Sequence, residues 1–194
     1  MIEEDLHKKF DHIFEVIQKP SFLKMDALGG EIPFWISTYS PTQEEEVNRE
    51  IQNLLKKLQN SGINPHLVNL FELSIRLVDK HIGLEKMFQI EKRKSKKKFK
   101  DRLSSTINIH ERLIPTIQQE IADVNPDLLL INGVGASFPV IRSHNVLNNL
   151  QSAVKDIPTV MFFPGEYTGQ SLNLFGKLKD DNYYRAFNID NYKL

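Results

Sequence analysis

Leu128-Leu-Leu-Ile-Asn-Gly-Val-Gly135 is the stretch that decides the fold. Four branched apolar residues in a row, without polar alternation, describe a strand buried on both faces. That is the condition of a parallel sheet covered by helices on either side. Asn125-Pro126-Asp127 is a turn ahead of it, and Gly133 and Gly135 turn the chain after it. The pattern returns at Pro158-Thr-Val-Met-Phe-Phe163, which Pro164-Gly165 is expected to end. A helix predicted over 140–154 joins the two. They therefore read as parallel neighbours in the middle of the molecule.

Working outward, residues 31–39 are β-branched and aromatic and predict the first strand, with Pro33 tolerated near its start. Residues 66–70 predict a second, and 184–189 a last one preceded by a short helix. Ile2, Leu6, Phe10, Ile13, Phe14 and Ile17 trace one helical stripe that Pro20 closes. Gly29-Gly30 marks a turn. Ser40, Pro41 and the acids Glu44, Glu45 and Glu46 predict a capped helix start, carried on by Val47, Ile51, Leu54 and Leu58. Further helices are expected over 71–81 and 84–90, then through the basic run to Leu103, and over 109–124. The expected class is α/β: an open, mostly parallel, Rossmann-like sheet of about five strands flanked by helices. Residues 1–194 read as a single domain in which 71–108 form a helical insertion.

Composition narrows the chemistry. The 194 residues balance 25 Lys+Arg against 25 Asp+Glu and include no cysteine. This excludes a disulfide scaffold, a Cys-based zinc site, an iron–sulfur cluster and a thiol nucleophile. A chain of this size buries about 70% of its unfolded surface and needs no such staple. No apolar run approaches the ~20 residues of a spanning helix, and the acidic start lacks the features of a signal peptide. A cytoplasmic protein with no membrane partner is the expectation.

The zero net charge hides an asymmetry. Lys92, Arg93, Lys94, Lys96, Lys97, Lys98, Lys100 and Arg102 oppose only Asp101 within 92–102, a local balance of +7 that leaves −7 for the remainder. Such a run is either a solvated connector, a contact for nucleic acid, or a contact for an acidic protein surface.

In an open parallel sheet, ligands bind beyond the carboxyl ends of the strands. The loops 38–41, 132–144 and 164–171 fall there, with 179–185 near the same edge. They carry Asn132, Gly133, Gly135, Arg142, His144, Gly165, Glu166, Tyr167, Asp180, Asp181, Tyr183, Tyr184 and Arg185, the candidate binding surface. Each motif has a plain rival. Gly133-Val-Gly135 has the form of a phosphate-binding turn, but Phe138 stands where a third glycine would complete the dinucleotide spacing. No Gly-Lys-Ser/Thr occurs. Tyr167 occupies the centre of Gly165-Glu-Tyr-Thr-Gly169, so there is no nucleophile elbow. No His-x-x-x-His or Asp-x-Asp pair supports a metal. Neither catalytic residues nor a cofactor nor a metal is expected.

The same loops carry a resemblance. Gly29-Gly-Glu-Ile-Pro-Phe34, Asn132-Gly-Val-Gly135, Phe138-Pro139, Arg142-Ser-His144 and Leu147-Asn-Asn-Leu150 take part in it. So do Phe162-Phe-Pro-Gly-Glu-Tyr167, Gly169-Gln-Ser-Leu172, Phe175-Gly176 and Leu178-Lys-Asp-Asp-Asn-Tyr-Tyr-Arg-Ala-Phe187. Together they closely resemble the BrxB family, the small B component of BREX bacteriophage-defence systems. The likeness spans about residues 20–190 and carries nothing over to 91–105. It implies a bacterial or archaeal protein of a multi-component complex. Its implied partners are BREX proteins, foremost the phosphatase-like PglZ, then the ATPase and methyltransferase components. It implies no enzymatic activity, and so favours a non-catalytic adaptor. The alternatives are a nucleotide- or anion-binding regulator at Asn132–Ser137 with Arg142, and a DNA-contacting subunit through 92–102.

Overall fold

Strands β3 (Leu128–Asn132) and β4 (Thr159–Tyr167) lie side by side and run parallel, with Leu129 opposite Thr159 and Ile131 opposite Met161. The computed structural model describes residues 5–26, 33–179 and 186–192. Within them β1 (Phe34–Tyr39), β2 (Pro65–Asn69) and β7 (Phe187–Asn188) complete a parallel five-stranded path in the order β2-β3-β4-β1-β7. The last pairing covers only part of the strand expected over 184–189, whose Tyr184 and Arg185 lie outside the described residues, as does Gly29-Gly30.

The unbroken apolar runs are explained by how the strands divide their side chains. Successive residues point to opposite faces, and each face has its own core. Leu128, Leu130, Val160, Phe162 and Trp35 pack on one side, against α1 (Leu6–Ile17) and α3 (Glu44–Asn60). Leu129, Ile131, Met161, Phe163 and Ile36 pack on the other. The helices there are α4 (Leu70–His81), α5 (Leu84–Arg93), α6 (Lys96–Ile107), α7 (Ile114–Val124) and α9 (Ser143–Ala153). Leu128 to Ile131 are each 0% exposed. Every such side chain contributes about 1.5–3 kcal/mol relative to exposure. Polar alternation would have cost one of the two cores.

Local chemistry sets the helix limits. Asp5 caps α1 by accepting from the Lys8 amide at 3.3 Å, and Phe10 stacks on Phe162 from its buried face. A four-residue turn, α2 (Pro20–Leu23), follows. Ser40 does not cap α3, contrary to expectation. Its hydroxyl pairs with that of Thr42 at 2.8 Å, and a 3-10 turn over Pro41–Gln43 precedes the helix. The basic run is not continuous helix either. Ser95 breaks it, accepting from the Lys98 amide as the cap of α6. The helix expected over 109–124 opens with a wide π turn, Ile109–Leu113, before α7. The one expected over 140–154 starts at Ser143, after a short α8 (Val134–Ser137) and a turn that holds Pro139.

Pro164-Gly165 does not end β4. The strand passes through it and changes partner. Gly165, Glu166 and Tyr167 pair antiparallel with β5 (Leu172–Leu174), which pairs with β6 (Leu178–Lys179). A small antiparallel extension thus stands where a short helix was expected.

Candidate functional site

The carboxyl ends of the parallel strands share one edge, as the register requires: Asn69 is opposite Asn132, and Tyr39 opposite Pro164. At this edge the fold spends its polar side chains on its own backbone. Asn69 accepts from the amides of Phe71 and Glu72 at 3.0 and 3.2 Å and so caps α4. Its carboxamide also fills the turn after β3. Gly133 has φ +73°, and a Cβ there would sit 2.3 Å from Asn69 Oδ1. Behind it, a Cβ on Gly135 would meet the Phe175 and Pro164 rings at 3.0 Å. Side chains thus pack against both glycines of this turn, an amide on Gly133 and two rings on Gly135. α8 has four residues, too few to sum a useful dipole.

The neighbours are engaged in the same way. Asn132, 4% exposed, donates to Asn48 Oδ1 of α3 at 3.0 Å. Its buried Oδ1 has no partner among the described residues. That atom is an acceptor and calls for a donor, not an anion. Ser137 donates to the Gly133 carbonyl at 2.8 Å. Tyr167 donates to the Ala186 carbonyl at 2.7 Å, and Glu166 accepts from Asn173 at 3.1 Å within the antiparallel extension. Replacing Asn69 by alanine is expected to cost about 1–2 kcal/mol through the lost cap. Chemical denaturation checks this, and an unchanged midpoint would contradict the role.

Tyr39, at the end of β1, is buried and donates to Glu44 Oε2 at 2.7 Å. Burial first, then the hydrogen bond and the charge of Glu44, push its pKa far above the ordinary tyrosine range. The unfolded chain loses this proton from about pH 10, whereas the native state keeps it. Stability is therefore unaffected below that pH and falls as the pH rises beyond it. Tyr39→Phe should flatten the alkaline limb of a melting-temperature profile, and equal slopes would refute the assignment.

A second lock joins the chain ends. Asp190 follows β7. Its carboxylate accepts from Ser37 Oγ at 2.7 Å and from the Thr38 amide at 3.0 Å, and lies 3.1 Å from the Lys9 ammonium. Lys9 also donates to the Thr38 carbonyl. The Lys9 and Asp190 side chains are 6% and 12% exposed.

Sequence reasoning missed Asn69, Lys9 and Asp190. Two of them left a signal. Asn69 sits immediately before a helix, where caps belong. Lys9 stands three residues after Leu6 and four before Ile13, on a buried stripe where a charge demands a partner. Asp190 left none.

The remaining candidates divide. Arg142 is exposed and precedes α9, and it makes no ion pair among the described residues. His144 lies in the first turn of α9, its side chain outside the described set. Asp180, Asp181, Tyr183, Tyr184 and Arg185 lie outside the described residues altogether. Of the basic run, Lys92, Arg93, Lys94, Lys96, Lys97, Lys98 and Arg102 are exposed and Lys100 half-buried, around the break between α5 and α6. Lys100 and Arg142, which the sequence placed in separate groups, line one depression of about 380 Å³. Among the described residues no three His, Asp or Glu side chains gather as metal ligands. No helix among them is long and apolar enough to cross a membrane.

Fold and site together define an α/β protein on an open parallel sheet, with its strand edge closed by its own side chains and a cationic depression beside it. The chain belongs to the BrxB family of BREX phage-defence systems: the family model for BREX protein BrxB matches residues 66–189. A BREX protein BrxB of Bacillus cereus (strain H3081.97) is 36% identical over 186 residues, covering 95% of this chain and 97% of that one. A BREX protein BrxB of Escherichia coli O9:H4 (strain HS) is 28% identical over 189 residues, covering 97% and 94%. No solved structure matches the chain. The resemblance read from the loops is thereby established, and the chain is a BREX component.

Proposed function

We propose that this chain is a non-catalytic adaptor of a cytoplasmic BREX assembly, and that it holds PglZ, the phosphatase-like component. The ATPase and methyltransferase components are further candidates for contact. One observation carries the reading. Asn69, Asn132, Ser137 and Asp190, the polar groups at the edge where α/β enzymes keep their chemistry, are bonded into the fold. They stiffen a surface instead of facing a substrate. Arg142 and Glu166 stand exposed on that surface, and Tyr167 braces it through Ala186. The helices of 71–108 act as an insertion that widens it.

Co-expression with the other BREX proteins tests this. A stable complex with PglZ should survive affinity capture and gel filtration. Separate elution from every BREX component would overturn the adaptor reading.

A further inference from the structure

Three depressions open side by side along α6 and share residues. The first, about 380 Å³, has Lys100 and Arg142 in its lining. The second, about 430 Å³, has Leu103 and Val140 in its floor and Lys96, Lys97 and Lys100 on its rim. The third, about 70 Å³, lies where α4 meets α6, with Phe71 and Ile75 at its side. Val140 lines all three, so they form one groove. Phe71 and Ile75 are 43% and 37% exposed, large apolar side chains on the outer face of α4, which Glu72, Arg76 and Asp79 share. No residue lining the groove is Asp or Glu. None of Lys96, Lys97, Lys100 and Arg142 makes an ion pair among the described residues.

The first depression is lined by Ser104, Asn108, His110 and Asn145 as well as apolar groups. The second and third have an apolar floor, and it is this floor with the cations beside it that selects the occupant. A phosphate backbone stays hydrated and gains nothing from Leu103, Val140 and Ile75. Stacked bases need free ring faces beside cations. Phe99, in the lining of the second depression, is half-buried and packed on the core. The exposed ring, Phe71, lies in the third depression, whose lining holds no cation. A helix with one apolar face and acids flanking it satisfies both the floor and the rim. Resting on the adaptor reading above, we infer that this groove docks an acidic amphipathic helix of a protein partner in the BREX assembly. The body of the chain, at −7 outside 92–102, would repel such a helix elsewhere, which fixes where it lands.

The test uses the full chain, tagged and co-expressed with the other BREX proteins. It compares wild type, the triple variant Lys96→Glu, Lys97→Glu, Lys100→Glu, and Ile75→Glu. All four positions are at the surface, and matched melting curves confirm that each variant folds. Each variant should cut the retained BREX protein about tenfold or more. Capture by the wild type should weaken with salt and be indifferent to nuclease. Wild-type retention by both variants would overturn the inference and leave the adaptor reading standing. Release of the partner by nuclease, or competition by duplex DNA, would make nucleic acid the occupant and overturn it. A dimer of the chain alone that the triple variant dissolves would make a second copy the occupant, with the same result. If wild type retains no BREX protein, the adaptor reading fails and the inference falls with it.

Discussion

Replacing Asp190 by asparagine should destabilise the fold by about 3–5 kcal/mol, the cost of removing one charge of a buried ion pair. For a chain of this length that is a fall in melting temperature of roughly 6–20 °C. The side chain keeps its shape and loses its charge, so the Lys9 ammonium, 6% exposed, loses the carboxylate 3.1 Å away. Native domains have about 5–15 kcal/mol of stability in all, so one substitution removes a large share. Removing both charges should be far milder. Lys9→Met combined with Asp190→Asn is expected to recover most of the loss, and a double-mutant cycle isolates the coupling between them. A single Asp190→Asn variant that melts within a degree of wild type would show that the pair holds nothing. The site links α1, β1 and the turn after β7. Its loss should therefore loosen the N-terminal helix and the C-terminal turn together, which hydrogen exchange at both would report.

The fold was legible where physics acts locally. Leu128 to Ile131 read as a strand buried twice over because no residue in it could face water, and the two cores confirm that reading. The stripe of α1 was legible for the same reason. What the sequence could not show are the choices made by packing at a distance. Nothing in residues 34–39 announces that β1 lies between β4 and β7. β5 has three residues, too few to display a period, so the extension of β4 was hidden and Pro164-Gly165 looked like an end.

The candidate site was legible as a list and not as a geometry. Gly133 and Gly135 carry the form of an anion turn, and only the folded chain reveals that Asn69 and Phe175 pack against it. The charge of 92–102 was plain, but its continuation to Arg142 depends on how α6 packs beside the entry to α9.

Gly165 tests whether that filled turn matters. It has φ +152°, and a Cβ there would lie 2.1 Å from the Asn173 carbonyl oxygen and 3.0 Å from the Phe175 amide. Both are backbone atoms, and neither can swing aside as a side-chain tip would. They belong to the pairing that holds the extension: Gly165 is opposite Leu174, and the Phe175 amide donates to the Pro164 carbonyl at 2.8 Å. Gly165→Ala must therefore push β5 away from β4. The expected cost is about 2–4 kcal/mol, combining backbone strain with overpacking. The damage should be local first, because the parallel sheet does not depend on β5. Amide exchange should accelerate at 172–175 while Leu129 to Ile131 keep wild-type protection. Phe175 moves with β5, so the Gly133-Val-Gly135 turn loses its seal against Phe175 in the same event. If the turn is a packing joint, the variant gains no affinity for phosphate or nucleotides, and its melting temperature is indifferent to them. A melting temperature that rises with added nucleotide in Gly165→Ala, but not in wild type, would mean that Phe175 covers a ligand site, and an anion-binding regulator would then displace the non-catalytic adaptor.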